Sequence, residues 1–78
     1  MPTAKDILAA IAEHLGLSAD DLDRQASIRD ELSLGPIELN DLLLFLSQKY
    51  EVHFNKEDVE DIKTVDDLIV LVEDNLLE

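Results

Sequence analysis

Between Pro36 and Tyr50 the chain places apolar side chains at nearly every register of a helix. Ile37, Leu39, Leu42, Leu43, Leu44, Phe45, Leu46 and Tyr50 leave Glu38, Asp41, Gln48 and Lys49 as the polar stripe. A helix apolar on most sides has to be covered on most sides, so this segment is predicted to be the central member of a small helical bundle. Pro36 suits a first helical position, because the N–H it lacks would have no intrahelical partner there. Glu38 and Asp41 fall in the first turns, where the helix dipole favours carboxylates.

The rest of the chain reads as helices grouped around that one. Thr3-Ala4-Lys5-Asp6 has the form of a capping box with Asp in the reciprocal role; Ile7, Leu8, Ile11 and Leu15 follow at helical spacing, and Gly16 supplies a stop. A first helix over about Ala4–Leu15 is predicted. Asn55 is the expected cap of a short helix carrying Val59, with Ile62 just beyond. Thr64-Val65-Asp66-Asp67 repeats the capping pattern ahead of Leu68, Ile69, Leu71, Val72 and Leu76. The stretch from Leu17 to Gly35 is too long for a plain connector. Within it Ser18 is expected to cap a single turn, and Ile28 and Leu32 to point inward. The predicted fold is therefore all-α: a four-helix bundle of three main helices and a short third one, with a long first loop. Residues 1–78 form a single domain.

Composition narrows the function. Nineteen Asp and Glu against six Lys and Arg give a formal charge of −13. Phosphate-rich surfaces repel such a chain, which excludes nucleic acid and anionic lipid as partners and favours a basic one. The longest apolar run, Leu42 to Leu46, is far short of a membrane span, and Met1-Pro2-Thr3-Ala4-Lys5 shows no secretory signal. A soluble, cytoplasmic monomer is the expectation. With no cysteine there is no disulfide framework and no thiolate chemistry. His14 and His53 lack a partner motif, and His14 reads as a residue that suits a helix C-terminus. No enzyme is expected. Asp20-Asp21-x-Asp23 has the wrong spacing and no glycine for a calcium loop, so no metal site is expected either. Glu57, Asp58, Glu60 and Asp61 crowd the short helix, where like charges repel; salt and loosely held divalent cations should relieve them. Stoichiometric calcium binding is the prediction of the rival reading, a cation-buffering domain.

The sequence resembles the acyl carrier protein family. Gln25-Ala26-Ser27-Ile28-Arg29-Asp30-Glu31-Leu32 resembles that family's loop ending in two acids and a leucine. Leu32-Ser33-Leu34-Gly35-Pro36-Ile37-Glu38-Leu39-Asn40-Asp41-Leu42 falls where carriers have Leu-Gly-hydrophobic-Asp-Ser-Leu-Asp-x-x-Glu-Leu. Tyr50-Glu51-Val52-His53-Phe54 and Ile62-Lys63-Thr64-Val65-Asp66-Asp67-Leu68 match the approaches to the third and fourth helices. The resemblance implies the four-helix fold and a serine esterified with 4′-phosphopantetheine, whose thiol carries acyl groups.

At that position this chain has Gly35-Pro36-Ile37 in place of Asp-Ser-Leu. Proline offers no oxygen, so no cofactor is expected at Pro36. What the resemblance implies is a carrier-like, non-catalytic interaction domain docking on a basic patch of a lipid- or polyketide-type biosynthetic enzyme or a transferase. Its partner-binding residues are Ile37, Glu38, Leu39, Asn40 and Asp41, with Glu57 and Asp58 from the short helix. The alternative is a working carrier, in fatty-acid or secondary metabolism, modified at another serine, Ser33. Leu46, Phe54, Ile62 and Leu68 match positions lining the family's acyl pocket; Phe54 and Leu68 are expected to fill that space and seal the core.

Overall fold

The computed structural model describes residues 2–76. Helix α1 runs Ala4–Leu15, α2 Pro36–Tyr50, α3 Lys56–Glu60 and α4 Val65–Leu76, with one 3₁₀ turn at Ala19–Asp21 in the long connection. No strand occurs among the described residues; Ser27 and Thr64 form an isolated bridge.

The local signals set the helix ends. Asp6 N–H donates to Thr3 Oγ1 at 3.2 Å and Thr3 N–H to Asp6 Oδ2 at 2.9 Å, completing the box that starts α1. Gly16 closes the helix at φ 76°, a left-handed conformation that favours a residue without Cβ. At α4, Asp67 N–H donates to Thr64 Oγ1, while Lys63 and Thr64 N–H both donate to the Asp67 carboxylate. Two expected caps are not made by side chains. Neither Ser18 nor Asn55 accepts a backbone N–H of its helix with its side chain, although Asn55 Nδ2 donates to Asp58 Oδ2 at 3.4 Å; their carbonyls accept instead, from Asp21 N–H and Val59 N–H.

The core lies where α1, α2 and α4 meet, built on Ile7, Ile11, Leu42, Leu46, Val65, Leu68, Ile69 and Val72, each under 2% exposed. The expectation that α2 is covered on nearly all sides is corrected: Ile37 is 82% and Leu44 57% exposed. Neighbours cover one face of α2, so its apolar residues divide into a core set and a surface set. Ile28 is buried from the loop as predicted, and Leu32 is half-buried against the same core.

The long connection is tied to the start of α4 by the main chain. Ile28 N–H donates to Lys63 O, Val65 N–H to Ala26 O and Asp66 N–H to Arg24 O, at 2.9, 3.1 and 2.7 Å. The Arg24 guanidinium adds an ion pair with Asp66. These bonds place residues 27–35 beside the N-terminal end of α2.

Candidate functional site

Pro36 is exposed at the first position of α2, and Gly35 is its N-cap with φ −80° and ψ 178°. That is ordinary extended backbone, so conformation alone does not demand glycine at 35. A Cβ on Gly35 would lie 2.8 Å from Glu38 Oε2, so a side chain there would make the flexible Glu38 carboxylate swing aside. The Glu38 carboxylate folds back over the helix N-terminus, where the exposed N–H groups and the dipole favour negative charge. It makes no cap hydrogen bond there but stands where the side chain of any residue replacing Gly35 would begin. Sequence reading missed this contact, although a Glu three residues after an N-cap is the signal for it. Ser33, two residues before Gly35, is exposed and held at φ 55°, which is costly for a residue with a side chain.

Beside Pro36 a cleft of about 570 Å³ opens between the loop, the start of α2 and α3. Ile28, Leu34, Leu39, Val59 and Ile62 give it an apolar lining; Arg29 and Lys63, with Asp30 and Glu60, contribute charges of both signs. The expected sealed core therefore needs correction. Leu46 and Leu68 are fully buried and close the interior at their level. Ile62 lines the open cleft, and Phe54 a separate groove with Leu43 and Leu44. Its aromatic side chain fills no space beside Pro36 because it lies on the other groove.

The residues expected to bind a partner do not form one patch. Ile37, Glu38 and Asp41 share a shallow cleft with His14, Leu15 and Leu34. Leu39 is half-buried and turns into the cleft at Pro36, which Asn40 also lines. Of these two expected partner-binding residues, Asn40 is exposed and Leu39 faces the neighbouring elements. Asp58 lines a third groove with Asp61, Asp67, Val70, Leu71 and Asp74, and Glu57 is exposed on α3. No group of acids among the described residues is arranged to hold a metal ion. Two further residues act where the sequence gave no sign. His14 Nε2 lies 2.8 Å from Asp41 Oδ2, and Ser47 Oγ donates to Val52 O at 2.6 Å behind α2.

The helix order and the tied connection are those of a small carrier-type domain. An acyl carrier protein structure from Thermotoga maritima superposes with a TM-score of 0.85 at 24% identity, over 95% of this chain and 91% of that one. In sequence, a family model described as a phosphopantetheine attachment site matches residues 5–72. The acyl carrier protein of Chlamydia trachomatis serovar L2 is 27% identical over 96% of this chain and 97% of its own. That of Exiguobacterium sibiricum is 31% identical over 87% and 86%. The chain belongs to the acyl carrier protein family. Members of this family carry and present groups to biosynthetic enzymes and are not catalysts. Pro36, at the first position of α2, has no side-chain oxygen.

Proposed function

We propose that this chain is a carrier-like docking domain that presents the start of α2 to a basic surface on a biosynthetic enzyme without bearing phosphopantetheine. The observation that carries the reading is Pro36, exposed and correctly seated at the first turn of α2 within an otherwise intact carrier fold. The helix start is kept and the nucleophile is missing. Glu38 and Asp41 flank the exposed Ile37, an arrangement that suits a partner with an apolar contact ringed by Lys or Arg. No helix among the described residues is long and apolar enough to cross a membrane.

Incubation with a phosphopantetheinyl transferase and coenzyme A, read by intact mass, is expected to leave the protein unmodified. One observation favours a second reading. The apolar cleft beside Pro36 remains open, and Ser33 is an exposed hydroxyl nearby in the chain. An adduct mapped to Ser33 would make the protein a working carrier with a displaced attachment point and end the first reading.

A further inference from the structure

We propose that His14 sets the charge that the start of α2 shows to a docking partner. The proposal rests on the docking reading above and adds to it a residue from another helix. His14 lies in the last turn of α1, its ring stacked on Phe45 with centroids 4.4 Å apart and planes 14° from parallel. Its Nε2 is 2.8 Å from Asp41 Oδ2. A carboxylate only accepts, so Nε2 carries the hydrogen and donates. Asp41 and Phe45 are four residues apart on one face of α2, and between them they fix both the plane and the direction of the imidazole. This pre-organisation separates the pair from a loose surface contact.

Asp41 remains open to a partner, its side chain 69% exposed against 25% for His14. With the ring neutral, Glu38 and Asp41 present two negative charges around Ile37. With the ring protonated, the imidazolium cancels Asp41 and Glu38 stands alone. Imidazole is the side chain that ordinarily changes charge between pH 5 and 8. The charged groups that share the cleft with the ring are Glu38 and Asp41 from α2; Glu13 is its chain neighbour, Asp20 and Asp21 stand on the 3₁₀ turn packed against α1, and the loop contributes Leu34. No cation among these competes for Asp41. The partner this fits is a Lys- or Arg-rich patch, held more tightly when His14 is neutral.

The full-length wild-type chain can be titrated as a competitor while a phosphopantetheinyl transferase loads a conventional apo acyl carrier protein. The inhibition constant is compared with that of His14→Gln, which never gains charge. The wild-type to His14→Gln ratio is expected near one at pH 8 and about two- to fourfold higher at pH 6. Asp41→Asn should compete less well than the wild type at pH 8, because one of the two carboxylates beside Ile37 is gone. Competition with a ratio that stays flat overturns the role of His14 and leaves docking intact. Absence of competition by every variant at both pH values overturns the docking reading and this proposal with it. Nitrogen-15 shifts of the His14 ring at pH 8 provide a second readout. Asp41→Asn should change the Nε2–H tautomer signature, and identical spectra would show that the pair does not form.

Discussion

Glu38 decides what glycine is for at the N-cap of α2. The Cβ position of Gly35 faces Glu38 Oε2, the end of a flexible side chain that can swing aside. Gly35→Asp should therefore fold, but it brings two carboxylates into one first turn. In the wild type, Glu38→Gln removes a charge that complements the dipole and should cost about 0.5 kcal/mol. In the Gly35→Asp background the same change relieves like-charge repulsion, so its cost should vanish or reverse. Urea unfolding of the four-member cycle measures the difference; additive effects would show that Glu38 does not sit over the cap. Adding the missing hydroxyl gives a chemical test at the same residues. Gly35→Asp with Pro36→Ser is expected to accept phosphopantetheine from a transferase. A folded but unmodified double variant would show that the surrounding recognition surface has diverged as well as residues 35 and 36.

At the level of elements, the fourth helix depends on its first turn. Asp67 is held below the usual carboxylate range by its bonds to the Thr64 and Lys63 backbone N–H groups. A depressed folded-state value means that the unfolded chain binds the proton more readily. The contribution is therefore fully present above the ordinary Asp value of about 3.9 and is lost as pH falls through the lower folded value. Asp6 is shifted the same way by its bonds to Thr3, so both caps weaken in the same acid range. Thr64→Ala removes the hydroxyl that accepts from Asp67 N–H and should cost about 1 kcal/mol at pH 7, measured by urea unfolding. Asp67→Asn should flatten the acid limb of the stability profile, and an unchanged limb would deny Asp67 that role.

These caps were also the legible part of the sequence. Thr3 with Asp6, Gly16, Pro36 and Thr64 with Asp67 act within a few residues, and the helix ends follow from them. Arg24 and Asp66 are separated by 42 positions and His14 and Asp41 by 27, and no local pattern announces such pairs. The same limit applied to the site. That residue 36 is a proline with no side-chain oxygen could be read directly. The division of Ile37, Leu39 and Asp58 among three clefts depends on which face of each helix its neighbours cover.

Across the whole molecule, charge repulsion is the largest force left unbalanced. Of six Lys and Arg residues against nineteen acids, Arg24 is committed to Asp66, while Glu57, Asp58, Glu60 and Asp61 crowd α3 and its end. This helix has five residues, no side-chain bond capping it and no fully buried side chain. It is the element with least to hold it against its own charge, and local opening starts at such elements. Raising NaCl from about 0.01 M to about 1 M shortens the screening length from roughly 30 to 3 Å. The melting temperature should rise by about 4–8 °C, the equivalent of about 1 kcal/mol in a domain this size. Amide exchange in α3 should slow more than in α1 or α4. Calcium and magnesium chloride should act with low affinity and near-equal effect, because no acidic group among the described residues is arranged as a metal site. Saturable, micromolar calcium binding would instead mean that the acids of α3 form a dedicated site. A melting temperature that falls with added salt would show that attraction through pairs such as Arg24–Asp66 outweighs the repulsion.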